Sequence, residues 1–113
     1  MHELSVTENL IEIAVRHATE ANARQILRIH LVIGELASIV DDSVQFYFDF
    51  LSKDTLAEGA ELVFNRLPIR VRCGACGHEW PPQTGDWTCP SCGASRAGVI
   101  GGREFYVDSI EVE

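Results

Sequence analysis

The sequence is short of two things: positive charge and long apolar runs. Its 113 residues include nine Lys and Arg against seventeen Asp and Glu, which gives a net charge of -8. Non-specific affinity for nucleic acids comes from basic side chains, so this balance argues against a nucleic-acid-binding protein. No stretch approaches the roughly 18 apolar residues of a membrane span. The start, Met1-His2-Glu3, lacks the basic segment of a secretory signal, so we expect a cytoplasmic protein.

Basic residues are missing altogether where the cysteines lie. The segment Cys73–Cys92 contains no Lys or Arg, whereas small zinc modules that bind nucleic acids are usually basic. The composition is otherwise that of an ordinary globular chain, with 46% hydrophobic and 23% charged residues. A chain of this length predicts one domain, or one small domain that carries a smaller appendage.

Hydrophobic periodicity predicts the order helix, strand, helix, strand, metal-binding loop, strand. The predicted segments are helices at 4–22 and about 43–55, and strands at 25–33, around Leu62 and Phe64, and at 104–113. The first strand has one apolar and one wetter face, which suits a sheet covered on one side by helices. We therefore predict an α+β fold: two helices packed on a small three-stranded sheet, with an inserted zinc-ribbon-like loop domain. The predicted units are residues 1–69 plus 103–113 and residues 70–102.

Both predicted helices have capping signals at their starts. Ser5 with Glu8 fits a capping box, and Asp41, Asp42 and Ser43 offer caps for the second helix. Helix 1 is thus expected to begin very near the chain start.

Apolar spacing also predicts which faces are buried. The expected inward residues are Val6, Leu10, Ile13, Ala14, His17 and Ala21 on helix 1, Leu27, Ile29, Leu31 and Ile33 on strand 1, and Val44, Tyr47, Phe48 and Leu51 on helix 2. Phe46 and Phe50 are expected to widen the stripe of helix 2 as core residues. In the last strand the apolar phase changes between Val107 and Ile110, which predicts a bulge near Asp108.

The four cysteines form two Cys-x-x-Cys pairs, Cys73 with Cys76 and Cys89 with Cys92, separated by twelve residues. Each pair can direct two sulfurs at one centre, and two pairs supply the four ligands that tetrahedral zinc requires. Such a site is closed, because no position is left for water or substrate. We therefore expect a structural zinc ion that folds a segment too poor in apolar residues to fold alone.

Other interpretations of these cysteines remain. Two disulfides are disfavoured by a cytoplasmic location, and a thioredoxin-like redox pair is disfavoured because neither pair follows a strand and opens a helix. His78 lies in the same loop and could replace a cysteine, although four sulfurs already complete the set. Trp80 and Trp87 are expected to pack around the site and exclude water.

The start of the chain carries a second metal-binding signal. His2 stands beside the α-amine of Met1, its own amide nitrogen and the amide nitrogen of Glu3. These donors can close chelate rings in one plane, and planar nitrogen donors suit Ni(II) and Cu(II). From residue types alone the signal is weak, since a solvated His near a terminus is common.

In combination these features are similar to one family. Met1-His2-Glu3-Leu4-Ser5 at the start, Ile33-Gly34-Glu35-Leu36 after the first strand, and the two late Cys-x-x-Cys pairs resemble the HypA/HybF family over nearly the whole chain. The resemblance implies a nickel metallochaperone for [NiFe]-hydrogenase maturation and not an enzyme.

The resemblance also implies specific sites and partners. Nickel, the transported ion, would bind His2 with the backbone nitrogens of Met1 and Glu3. Structural zinc would bind the four cysteines, Cys73, Cys76, Cys89 and Cys92. The implied partners are the GTPase HypB and the hydrogenase large subunit, with urease maturation proteins as a further possibility.

Three other functions stay open from the residues alone. They are a zinc-ribbon module that binds nucleic acid, a metal-dependent hydrolase, and a zinc-stabilised adaptor without a nickel role. The roles of Asp41, Asp42, His17 and His30 in metal binding are undecided, and structural roles are expected for the two histidines. Arg70, Arg72 and Arg103 could contact an acidic partner. A homodimer through a sheet edge is compatible with the sequence.

Overall fold

The computed structural model describes residues 3–82 and 85–113. Its elements are α1 (Glu3–Glu20), β1 (Ile26–Gly34), α2 (Asp41–Leu51), β2 (Glu61–Leu67), β3 (Arg70–Cys73), β4 (Glu79–Trp80), β5 (Ala97–Gly101) and β6 (Phe105–Val112). The six strands form two three-stranded sheets. Neither helix has the length and apolar content needed to cross a bilayer within the residues that the structure describes.

The first sheet has the strand order β2-β1-β6 and is mixed. β1 pairs in parallel with β2, and α2 makes the crossover between them. β6 returns from the second sheet to pair antiparallel with the other edge of β1. The predicted α+β fold, with two helices on a three-stranded sheet, is confirmed.

The main core lies between the helices and one face of this sheet. Ile29, Leu31 and Ile33 point into it from the middle strand, and Leu62 joins them from β2. Fully burying a side chain of this size contributes about 1.5–3 kcal/mol. The inward residues of β1 were predicted correctly except at Leu27.

Leu27 is exposed because β1 carries a bulge at that position. Ile26 pairs with Val112 and Arg28 pairs with Glu111, so Leu27 is the extra residue. Ile26 takes the buried place instead. A bulge of one residue shifts the alternation of side chains between the two faces.

The bulge predicted near Asp108 is confirmed. His30 pairs with Ser109 and Leu31 pairs with Val107, which leaves Asp108 unpaired. The bulge resets the alternation, so Ile110 packs on the same core as Val107.

The buried stripe of α1 is rotated from the predicted one. The fully or nearly buried residues are Thr7, Leu10, Ile11, Ala14 and Ala18, whereas His17 and Ala21 are exposed. Thr7 is buried because its hydroxyl donates to the Glu3 carbonyl at 2.6 Å. A polar residue that satisfies itself inside its own helix can occupy the core at low cost.

Both helices begin earlier than the capping signals indicated. Ser5 already lies inside α1, which includes Glu3, so the Ser5 capping box does not mark the helix start. Asp41 and Asp42 lie in the first turn of α2 and Val40 is its N-cap, without a capping side chain of its own. The two carboxylates stabilise this helix through its dipole.

The second sheet, of order β4-β3-β5, holds a much smaller core. Its buried residues are Val71, Cys73, Trp80 and Cys89. Two of these four buried residues are cysteines, so only Val71 and Trp80 contribute large apolar side chains to this core. This agrees with the expectation that the segment cannot fold on apolar burial alone.

The end of β1 and the segment that follows β5 contact each other at Gly34 and Gly102, and we call this contact the joint. The Gly34 N–H donates to the Glu104 carbonyl at 2.8 Å, and the Leu36 N–H donates to the Gly102 carbonyl at 2.6 Å. Gly102 has a φ of +117°, a conformation that disfavours side chains. β1 and the chain leaving the second sheet are thus held together through backbone groups.

Helix α2 allows a direct comparison of buried and exposed apolar residues. Val44 is fully buried, whereas Phe46 is 63% exposed. We expect Val44→Ala to lower the free energy of unfolding by about 2 kcal/mol. Phe46→Ala removes more carbon atoms but should change it by less than about 0.5 kcal/mol. Urea denaturation of both variants provides the measurement, and equal losses would contradict the burial assignment.

Candidate metal centre

The structure brings all four cysteines to one point. Cys73 ends β3, Cys76 lies in the following turn, and Cys89 and Cys92 lie in the loop between β4 and β5. The Sγ atoms of Cys73 and Cys92 are 3.6 Å apart, as are those of Cys76 and Cys89. All four sulfurs lie within 4.8 Å of one another.

These separations fit a tetrahedral zinc ion. Zinc–sulfur bonds of about 2.3 Å place tetrahedral ligands about 3.8 Å apart. A disulfide would need a sulfur–sulfur distance of about 2.05 Å, and all four cysteines are free thiols. These distances argue against the disulfide alternative, and the four sulfurs fit the closed donor set of a structural zinc site.

Two copies of one backbone turn aim the sulfurs. The Gly77 N–H donates to the Cys73 carbonyl at 2.9 Å, and the Gly93 N–H donates to the Cys89 carbonyl at the same distance. Gly77 and Gly93 have φ values of +80° and +78°. Glycine occupies this left-handed region without strain, which explains why each pair continues as Cys-x-x-Cys-Gly.

Backbone donors favour the thiolate at one cysteine. The Ala75 N–H lies 3.3 Å from the Cys73 sulfur. The N–H groups of Cys76 and Ala75 lower the pKa of Cys73 to about 6. Hydrogen bonds to a charged form stabilise it, so this turn favours the thiolate form of Cys73, which is the form that binds a metal.

The pKa values of Cys76 and Cys89 are shifted in opposite directions. The His78 backbone N–H lowers the pKa of Cys76, but desolvation and the thiols of Cys89 and Cys92 outweigh it and raise the pKa to about 12. Desolvation raises the pKa of Cys89, yet donors that include the Cys92 N–H bring it below its usual value. Four thiolates this close together would repel one another. A bound metal cation offsets that repulsion and allows all four sulfurs to ionise.

The other side chains predicted near the sulfurs lie in different places. His78 is exposed and its ring stacks on Trp80, with centroids 5.7 Å apart. Only the four cysteines form the metal-binding group found in the described residues, so His78 is not part of it. Trp80 is buried in the small core, as predicted, whereas Trp87 is 36% exposed and lies outside that core.

Glu3, the first described residue, lies beside the start of α2. Met1 and His2 fall outside the described residues, so the predicted nickel ligands are not placed. Glu3 is described, and its carboxylate accepts the Val40 N–H at 3.3 Å. Asp41 follows Val40 directly, and Asp41 pairs with Arg66. Asp41 therefore lies near the described start of the chain.

Arg66 is a residue that sequence reasoning missed. Its guanidinium contacts both the Ile39 carbonyl, at 3.2 Å, and the Asp41 carboxylate. It thereby fixes the loop that receives Glu3. Arg66 lies 25 residues from Asp41 along the chain, on a different element, so no local pattern indicates the pairing.

The remaining histidines have other surroundings. His17 is exposed on α1. His30 lies on the solvent-facing side of the sheet, where its Nε2 atom is 2.6 Å from the Glu111 carboxylate. The His30 contact and Arg28 lower the pKa of Glu111. Neither histidine joins a group of three metal-binding side chains in the part of the chain that the structure describes.

The arginines near the second sheet are partly engaged within it. Arg72 binds the Glu79 carboxylate at 2.7 Å, and Arg70 lies 4.0 Å from the same residue. The hydrogen bonds from Arg72 lower the pKa of Glu79. Exposed pairs of this kind contribute at most about 1 kcal/mol, so a charged partner could displace them.

Comparison with known proteins gives a consistent result. Residues 1–112 match the model of a family described as hydrogenase/urease nickel incorporation, metallochaperone, hypA. The hydrogenase maturation factor HypA of Dehalococcoides mccartyi is 52% identical over 113 residues, covering 100% of this chain and 95% of that protein. The corresponding factor of Geobacter sulfurreducens is 42% identical over the full length of both chains.

Solved structures show the same architecture. The solution structure of the Ni metallochaperone HypA from Helicobacter pylori has a TM-score of 0.70 and 25% identity, covering 99% of this chain and 97% of that one. A second structure, titled as the solution structure of HypA protein, has a TM-score of 0.78 and 26% identity, with coverage of 100% and 97%.

Proposed function

Because the chain belongs to the HypA family of metallochaperones for nickel incorporation, we propose that it binds Ni(II) at its amino end and delivers it for [NiFe]-hydrogenase maturation. Urease is a second candidate acceptor. The family match over residues 1–112 carries this proposal, since it spans both the Met1-His2-Glu3 start and the four cysteines. Members of this family are maturation factors, so the expectation that the chain is not an enzyme holds.

The proposed nickel ligands are the His2 imidazole and the backbone nitrogens of Met1, His2 and Glu3. Such donors give the planar nitrogen field that Ni(II) favours. The contact of the Glu3 carboxylate with the Val40 N–H supports the proposal, because it ties the residue after His2 to the α2 start. A site at a chain end can exchange its ligands one by one with those of an acceptor.

The proposed zinc ligands are Cys73, Cys76, Cys89 and Cys92. Zinc held by four thiolates has no open position and stays with the protein, so it stabilises residues 70–102 as a separate zinc-binding unit. Residues 1–69 with 103–113 form the proposed nickel-binding unit. Transferable nickel and resident zinc are thus held by different donor atoms, nitrogen and sulfur.

The proposed partners follow from the same function. They are the GTPase HypB, the hydrogenase large subunit and, where urease is the acceptor, its maturation proteins. The proposed compartment is the cytoplasm. The excess of carboxylates supports a protein partner over a nucleic acid, because a net charge of -8 repels phosphate backbones.

Nickel titration of the untagged protein tests the proposal. We expect one Ni(II) per chain in the wild type and none at the same nickel concentration in His2→Ala, with one zinc per chain in both. The matched control is His17→Ala, which removes an exposed histidine elsewhere on α1 and should leave nickel binding unchanged. Calorimetry measures nickel binding and elemental analysis counts the zinc.

An extra residue before Met1 should also weaken nickel binding, because the α-amine would no longer stand next to His2. Full nickel binding by the His2→Ala variant would refute the nickel site. That outcome, with zinc still bound, would leave a zinc-stabilised adaptor as the better description.

A further inference from the structure

Helix α2 carries two exposed phenylalanines that contact each other and the half-buried Tyr47. Phe46 is 63% exposed and Phe50 is 46% exposed. Their ring centroids lie 5.6 Å apart, and that of Tyr47 lies 5.4 Å from Phe46 and 6.0 Å from Phe50, all edge to face. The prediction that Phe46 and Phe50 belong to the core was wrong, because Val44 and Phe48 already fill the inner side of this helix.

The aromatic cluster continues onto the first turn of α1. Leu4 is 42% exposed, and Leu4, Glu8 and Tyr47 line one shallow cleft between the two helices. We call Leu4, Phe46, Tyr47 and Phe50 the aromatic face. Contiguous exposed apolar side chains of this kind mark interaction sites more often than single ones do.

The rim of the aromatic face is negatively charged. The exposed carboxylates of Glu8, Asp42 and Asp49 lie on the two helices that form it. Asp41 is neutralised by Arg66, but neither Asp42 nor Asp49 makes an ion pair with any residue in 3–82 or 85–113. Between Arg28 and Arg66 the sequence has one Lys or Arg, Lys53.

We propose that the aromatic face is a docking surface for a partner protein whose segment presents Lys or Arg beside one or two large apolar side chains. The acidic rim attracts the cations and the rings receive the apolar groups. Lys and Arg also bind favourably over aromatic rings. Aromatic residues at the centre of an interface with charges around them are the usual arrangement of a binding hot spot.

Charge selects this occupant over the alternatives. A second copy of the chain would bring the same carboxylates against each other, which costs free energy at short range. An anionic membrane or a nucleic acid would be repelled in the same way. The basic partner segment is the occupant that complements both the apolar centre and the acidic rim.

The docking proposal rests on the proposed function for the identity of the partner, and the aromatic face lies close to the described start of the chain. Leu4 follows Glu3, whose carboxylate contacts Val40 at the start of α2. A protein docked here would lie next to the proposed nickel ligands and could receive the ion. Docking itself does not need nickel, so the two proposals can fail separately.

The test measures binding of the full-length protein to HypB, the proposed GTPase partner. We expect the double variant Phe46→Ser/Phe50→Ser to bind at least about tenfold more weakly than the wild type. Asp42→Lys/Asp49→Lys should bind similarly weakly, and the wild-type affinity should fall as salt is raised. Tyr106→Ser, an exposed aromatic residue on β6, is the matched control and should bind normally.

Zinc content and nickel titration verify that each variant is folded and loaded. Wild-type affinity in the double phenylalanine variant would overturn the docking proposal, while unchanged nickel binding would leave the carrier function standing. A dimeric wild type that becomes monomeric in this variant would assign the face to a second copy and also overturn the proposal.

If HypB does not bind the wild type, a peptide probe tests whether the aromatic face is a docking surface. The probe is a 15-residue amphipathic helix with Leu anchors and flanking Arg, and its control carries Glu in place of Arg. Shifts of amide resonances confined to the aromatic face, seen with the Arg peptide and lost in the double variant, would support the surface. Shifts spread over the whole chain, or none, would overturn it.

Discussion

Serine at position 73 should cost the protein its zinc and its second sheet. Cys73 is buried, ends β3, and contributes to both the sulfur cluster and the small core. Apparent binding free energies for structural zinc are about 10–16 kcal/mol, so loss of the ion should remove a large share of the free energy that folds this segment. We expect zinc per chain to fall from one to near zero in Cys73→Ser. Hydrogen exchange should show lost protection in 70–102 and retained protection in β1.

The control for this variant is His78→Ala, which removes the histidine of the same loop and should keep one zinc.

The direction in which pH changes zinc binding follows from the four thiolate ligands. Protons compete with zinc for thiolates, so zinc should be released as the pH falls and retained as it rises. A Cys73→Ser protein with full zinc and a protected β3 would show that the four sulfurs do not form the site.

Alanine at position 34 should destabilise the first sheet strongly. A Cβ atom at Gly34 would overlap the Gly102 carbonyl and press on the Glu104 carboxylate. The backbone at Gly102 cannot easily move away from the new methyl group, because Gly102 is packed against Ile69. We expect the free energy of unfolding to drop by on the order of 4 kcal/mol, the range of severe single substitutions. Urea denaturation followed by circular dichroism measures the loss.

Gly98→Ala is the matched control for the joint. Gly98 lies in β5, and a Cβ atom there would meet no other atom within 4 Å. We expect its effect to stay within about 0.5 kcal/mol. Equal stability of the Gly34→Ala and Gly98→Ala variants would mean that the joint yields without cost, and the tight approach of Gly34 to Gly102 would then be unimportant.

Local sequence patterns predicted the features that depend on local geometry. The spacing of the Cys-x-x-Cys-Gly turns is sufficient to direct each pair of sulfurs, and the structure brings the two pairs together. The phase change after Val107 was enough to place the bulge at Asp108. The resemblance to the HypA/HybF family is confirmed by the family match.

The errors came from effects that periodicity does not contain. Burial of Thr7 costs little because its hydroxyl finds an acceptor within α1, and the buried stripe runs through Thr7 and Ala18 instead of His17. Phe46 and Phe50 are exposed because a helix over a three-stranded sheet buries only one side. The bulge at Leu27 has no signal in the sequence, since Leu27 continues the apolar alternation of β1.

The order in which the strands pair has a consequence for how the chain folds. β1 lies in the centre of its sheet, yet one of its neighbours, β6, comes from the far end of the chain. Closing a long flexible loop before pairing carries an entropy cost that slows folding. In the second sheet Arg70 pairs with Gly101. Once β3 and β5 have paired, the two ends of the segment between them lie side by side. We therefore expect zinc binding to shorten the loop that must close and so to speed the pairing of β6 with β1, two strands that do not contact the ion.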